Sequence, residues 1–116
     1  MYVFASKGLF ASFAEIRTFV DPTYTDDGDG MPAAFIREID LHDYEPDCIE
    51  VMHSKSGQSV PLRDLLADAS YSDQWLGLLD DSRLADAAIC VFAPNQVLNP
   101  RGSSLEYLGC FDYAAA

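Results

Sequence analysis

Positive charge is scarce in this 116-residue chain: seven Lys and Arg stand against 19 Asp and Glu, a formal net charge of −12. Such a balance repels the phosphates of nucleic acids and anionic lipid, so direct DNA or RNA binding and attachment to a membrane surface are both disfavoured. No apolar run approaches the roughly 18 to 20 residues of a membrane span. The opening Met-Tyr-Val-Phe-Ala-Ser has neither the basic flank nor the long apolar stretch of a signal peptide, so the expectation is a soluble, cytoplasmic protein. Only two histidines, His42 and His53, are present to serve as a general base, and neither lies in a recognised motif. G-x-S-x-G, the P-loop, the dinucleotide fingerprint and H-E-x-x-H are all missing, so no catalytic residue and no cofactor-binding residue is assigned. The three cysteines, Cys48, Cys90 and Cys110, are odd in number, far apart and set in apolar runs. A disulfide framework or a clustered metal site would need a different pattern, which leaves buried free thiols as the expectation.

What is present is negative charge, and it is regional. From Asp21 to Glu50 ten carboxylates face Arg37 alone, and the segment carries nine of the twelve excess charges. A field of this kind attracts and orients a basic protein and speeds its association. The chain is 49% hydrophobic, enough to offset the entropy of ordering, and its length suits one domain spanning residues 1–116.

Short apolar, β-rich runs at Tyr2–Ala5, Cys48–His53, Ala87–Ala93 and Leu105–Tyr113 predict strands, with Gly109 marking a bulge in the last. Ser12 and Glu15 match a capping box ahead of Phe13, Ile16 and Val20, which predicts a helix over Ser12–Val20 that closes at Asp21-Pro22. A second helix is expected from Pro32 to about Asp40. The Leu62, Leu65, Leu66 and Ala69 stripe predicts another, and Ser72 can cap a fourth helix that buries Trp75. Residues 23–31, 41–47 and 95–103 are expected as loops or connections. The order β-α-α-β-α-α-β-β predicts an α+β fold: one mostly antiparallel sheet of about four strands with helices covering a face. Strand order and oligomeric state stay open.

Asp26-Asp27-Gly28-Asp29-Gly30 invites a calcium-loop reading. With Gly30 at loop position six, however, Thr25 falls at position one and Ile36 at position twelve, where carboxylates are needed. A tight acidic turn explains the same residues, and no metal site is assigned. Tyr24 and Tyr44, aromatic bodies among carboxylates, have the composition of an anchor for a basic partner.

Taken in order, Tyr24-Thr25-Asp26-Asp27-Gly28-Asp29-Gly30, Phe35, Tyr44-Glu45-Pro46-Asp47 with Ile49-Glu50, and the closing Leu105-Glu106-Tyr107-Leu108-Gly109-Cys110-Phe111-Asp112-Tyr113 resemble the immunity protein 22 family of bacterial polymorphic toxin and contact-dependent inhibition systems. The similarity runs over most of the chain, in motifs that are short and acidic. It implies a non-enzymatic cytoplasmic antidote that binds and neutralises the C-terminal domain of a cognate toxin. Many such toxins are nucleases with basic clefts, so a basic toxin domain is the expected partner. Charge and loop position select Asp26, Asp27, Asp29, Asp40, Asp43, Tyr44, Glu45 and Asp47 as the residues that face it. Readings from other classes are a small adaptor binding a basic protein and an uncharacterised hydrolase.

Overall fold

A computed structural model describes residues 1–80 and 82–114. In chain order its elements are β1 (Tyr2–Ser6), α1 (Phe13–Val20), β2 (Thr23–Tyr24), β3 (Gly30–Met31), α2 (Ala34–Glu38), β4 (Leu41–His42), β5 (Ile49–His53), β6 (Val60–Pro61), α3 (Leu62–Leu65), α4 (Ser72–Trp75), β7 (Leu84–Ala85), β8 (Ala87–Val91), β9 (Gln96–Val97) and β10 (Glu106–Cys110). Single 3-10 turns add Pro46–Cys48, Leu76–Leu78 and Pro100–Gly102. The fold is α+β, as expected. Its main sheet has four strands in the order β10-β1-β8-β5, and every neighbouring pair is antiparallel.

Helices lie on both faces of this sheet, where the sequence predicts cover on one. Strand geometry sends alternate residues to opposite sides. Phe4, Ile49, Ala87, Ile89 and Val91 therefore join Ile16 and Val20 of α1 and Phe35 and Ile36 of α2 in one core. Val3, Ala5, Ala88 and Cys90 join Leu62, Leu66, Trp75 and Leu79 in the other. All five residues of β8 are buried, which is why its sequence is a continuous apolar run with no polar alternation.

Local sequence explains where the elements start and stop. Ser12 caps α1, its hydroxyl accepting from the Glu15 amide at 3.3 Å. The Glu15 carboxylate reaches back to the amide of Ala11, one residue before the position a capping box would use. The helix ends at Asp21, which turns extended before Pro22 and pairs with Arg17 four residues back. Helix α2 is shorter than expected: Pro32 lies outside it, Ala33 caps it without a side-chain bond, and Asp40 adopts a left-handed φ of 50° just beyond it. The two tandem helices α3 and α4 are single turns. Ser72 does not cap α4, since Tyr71 holds that position and the Ser72 hydroxyl donates to the Ala67 carbonyl at 2.9 Å.

The segments expected as loops contain pairing of their own. Strands β2 and β3 form a ribbon with the acidic turn at its tip, and β4 pairs with β9 across more than fifty residues of sequence. Strands of two residues carry too little periodicity to register in a sequence. The last strand stops at Cys110, and a register shift opposite Val3 and Phe4 places a bulge beside Gly109, whose φ of 136° suits glycine. Beyond it Tyr113 stacks on Tyr71 at 5.0 Å, and its hydroxyl accepts from the Ala93 amide at 3.1 Å.

Of the cysteines, Cys90 is buried, and burial pushes its thiol up from the ordinary value; Cys48 is half-buried and Cys110 exposed. The exposure of Cys110 corrects the expectation of three buried thiols: it sits at the end of a border strand, where a short apolar run has only one neighbour to cover it. Trp75 is fully buried, its ring nitrogen donating to the Ser70 carbonyl at 3.2 Å. Trp75→Ala is expected to cost about 3–5 kcal/mol in urea unfolding. Leu78→Ala, at a residue 70% exposed, should stay within about 0.5 kcal/mol of the parent.

Candidate partner-binding face

The ten carboxylates between Asp21 and Glu50 divide into those that hold the fold and those that face outward. Asp21 is committed to Arg17. Glu38 accepts from the Ser104 amide at 2.7 Å and from its hydroxyl at 2.6 Å, which ties α2 to the segment ahead of β10. Gly102 is needed in that segment, because a Cβ there would stand 2.3 Å from the Glu38 carbonyl oxygen. Glu50 accepts from the amide and hydroxyl of Ser70 and so fixes the turn before α4. None of these three was among the residues chosen from sequence.

The chosen residues occupy two stretches. Asp26, Asp27 and Asp29 sit at the tip of the β2–β3 ribbon, where the Thr25 hydroxyl accepts from the Asp29 amide at 3.1 Å and the Thr25 carbonyl from the Gly28 amide at 2.9 Å. Asp40, Asp43, Tyr44, Glu45 and Asp47 follow α2. Asp40 meets Nε2 of His42 at 3.0 Å, and both side chains are exposed. Glu45 is half-buried, and its carboxylate accepts from the Asp47 amide at 3.3 Å to cap a 3-10 turn. The carboxylates of Asp26, Asp27, Asp29, Asp43 and Asp47 are exposed and have no hydrogen-bond or ion-pair partner among the described residues. No cluster of three or more His, Cys, Asp or Glu among those residues is arranged to hold a metal ion.

The structure joins the two stretches through their tyrosines. Tyr24 from the ribbon and Tyr44 from the loop line one groove of about 330 Å³, together with Met31, Pro32, Ile36 and Leu41. Tyr24 is 71% exposed, Met31 49% and Tyr44 38%, an unusual outlay of large apolar surface to water. Partial burial, and next the neighbouring Asp21 charge, raise the Tyr44 phenol above its ordinary value of 10.0, against a smaller opposing effect of Arg17. The groove's lining is mostly apolar, and the two stretches that supply its tyrosines are the ones that carry the outward carboxylates.

Sequence reasoning missed the residue that positions the loop. Asn95, 5% exposed, accepts from the Glu45 amide at 2.7 Å and donates to the Glu45 and Phe92 carbonyls at 3.0 Å each. An asparagine after a proline reads as a turn former in any sequence, and its partner lies fifty residues away. Both histidines have partners within the fold: His42 pairs with Asp40, and His53 donates to the Phe10 carbonyl at 3.3 Å.

The model of the family described as Immunity protein 22 matches residues 6–114. The chain belongs to this family. Membership carries an immunity role, in which the protein is an antidote that binds a cognate toxin protein. No curated protein and no solved structure matches the chain. No helix among the described residues of this family member is long and apolar enough to cross a membrane.

Removing the Asn95 side chain strands the Glu45 amide and leaves the Glu45 carbonyl with the Cys48 amide alone, so Asn95→Ala is expected to cost about 1–3 kcal/mol in chemical unfolding and to loosen the loop that carries Tyr44. Tyr44 gives a pH test. The folded chain holds its proton more tightly than the unfolded one, so its contribution to stability is complete below pH 10.0 and is lost as pH rises through the higher folded value. Ring-proton titration by NMR should place Tyr44 ionisation above that of a free tyrosine, and Asp21→Asn should bring it back toward the ordinary value.

Proposed function

We propose that the chain neutralises the basic C-terminal domain of its toxin, a nuclease, by laying the acidic, tyrosine-bearing face against the cationic cleft that would otherwise hold nucleic acid. The carrying observation is the set of five exposed carboxylates, Asp26, Asp27, Asp29, Asp43 and Asp47, that have no partner among the described residues and belong to the two stretches joined at the Tyr24 and Tyr44 groove. Carboxylates committed to the fold contribute little to a partner, whereas free ones on rigid turns steer a basic surface and set its orientation. Asp40 and Glu45 belong to the same stretch as Asp43, Tyr44 and Asp47 and add to its charge.

The groove gives this electrostatic face an anchor. Exposed tyrosines beside aliphatic side chains are the composition of an interface centre, where an aromatic or a long basic side chain is desolvated and held while the surrounding charged groups stay solvated. Lys and Arg satisfy both parts, an apolar stem against the rings and a cationic head among the carboxylates. In this reading the protein acts by occupancy, without catalysis, and it acts in the cytoplasm of the toxin-producing cell.

Binding kinetics with the purified toxin domain test the proposal. The triple change Asp26→Lys, Asp27→Lys, Asp29→Lys is expected to slow association by ~10- to 100-fold at low salt and to flatten its salt dependence. Tyr44→Ala is expected to act on dissociation and cost about 1–2 kcal/mol of affinity. If both variants bind and protect as the parent does, with the same salt slope, the interface lies on another face.

A further inference from the structure

The main sheet has two borders, β10 and β5, and they are finished differently. Along β10 the register is broken by the bulge at Gly109, and Arg101 from the preceding 3-10 turn stands over the Tyr107 ring at 5.8 Å. Bulges and covering side chains are how a sheet edge is closed to further pairing. Among the described residues, strand β5 has neither a bulge nor a cation standing over one of its side chains. Its five residues run in unbroken register with β8, from Ile49 opposite Val91 to His53 opposite Ala87.

The bonds at its two ends fix which way its backbone faces. The Phe92 amide donates to the Cys48 carbonyl at 2.8 Å, and the Ser54 amide donates to the Asp86 carbonyl at 2.8 Å. Bonded residues alternate in an antiparallel pair, so Glu50 and Met52 turn their amides and carbonyls toward β8. Ile49, Val51 and His53 turn theirs away. The Ile49 amide is taken by the Pro46 carbonyl. The backbone N–H and C=O groups of Val51 and His53 meet no hydrogen-bond partner among the described residues.

Val51 and His53 line a groove of about 550 Å³, together with Phe13, Asp64, Leu65 and Asp68. Phe13 begins α1, which belongs to one face of the sheet, and Leu65 ends α3, which belongs to the other. Phe13 is 51% exposed, and among the described lining residues Asp64 and Asp68 outnumber the cation Lys55.

We propose that β5 is a docking edge for one extended, basic strand of a partner protein, which continues the sheet beyond β5, its apolar side chains turned to Phe13 and its basic ones to Asp64 and Asp68. Two outward N–H and C=O pairs about 7 Å apart match the repeat of an extended backbone and of little else. Strand alternation then sends successive partner side chains to opposite walls, apolar on one and acidic on the other. A second copy of the chain is a poor occupant, because like charge at Asp64 and Asp68 would face like charge. The inference rests on the sheet edge and not on the toxin reading, so the two fail separately.

The test is amide NMR of the labelled chain with a capped Thr-Lys-Val-Lys-Val-Lys-Thr peptide. The expected result is shifted Val51 and His53 amides that exchange at least ~10-fold more slowly with peptide bound. The same peptide N-methylated at alternate positions should give no protection. Val51→Pro removes an outward N–H and no bond to β8, and it should abolish the effect in a chain that still unfolds cooperatively. Should that variant misfold, the exposed pair Asp64→Lys, Asp68→Lys should weaken the lysine peptide and favour its glutamate counterpart. Peptide binding that leaves both amides exchanging as before, no shift at millimolar peptide, or self-association through β5 would each overturn the proposal.

Discussion

The structure depends on the burial of β8 from both sides. Its residues Ala87–Val91 lie between β1 and β5 and contribute side chains to both cores, so every other element is placed by reference to it. The small residues at 87 and 88 let the sheet be approached closely, while Ile89 and Val91 face α1 and α2, and Cys90 faces the layer that holds Trp75. Because strand alternation is strict, a slip of one residue in this register would exchange the two cores. The pairings Phe4 with Ile89 and Val51 with Ile89 hold the apolar sets on their own faces.

Around that sheet the acidic segment serves both as structure and as surface. Asp21, Glu38 and Glu50 each end in a partner within the fold, and each closes a connection: the end of α1, the approach to β10, and the turn before α4. Their neighbours in sequence project from turns that these contacts and Asn95 make rigid. A binding face on such turns loses less conformational entropy when it meets a partner than one on free loops. The β2–β3 ribbon and the β4–β9 pair act in the same way, holding Tyr24 and Tyr44 beside one another across a groove.

How much of this could be read in the sequence followed from the range of the interaction responsible. The four main strands were legible because each is a run of β-branched or apolar residues bounded by turn formers, and the α1 cap because Ser12 and Glu15 act within one turn. The bulge at Gly109 announced itself through a residue whose backbone freedom has few other uses. The two-residue ribbons were not legible, since a pair such as Leu41 and Val97 is specified by its surroundings and not by its own pattern. Nor was cover on the second face, because Leu62, Leu66 and Trp75 read as a helix face without saying which side of the sheet it meets. For the candidate face, the charge and both tyrosines stood out in composition, whereas Asn95 and the sorting of the carboxylates did not.

The amino-acid sequence by itself determined the charge, its concentration between Asp21 and Glu50, the α+β class and the resemblance to an immunity family, since each is a sum or a pattern over neighbouring residues. Tertiary structure alone decided which carboxylates find a partner among the described residues, that Tyr24 and Tyr44 share a groove, and that β5 stands at the border of the sheet. Those properties depend on contacts between residues tens of positions apart, whose distances no local pattern encodes.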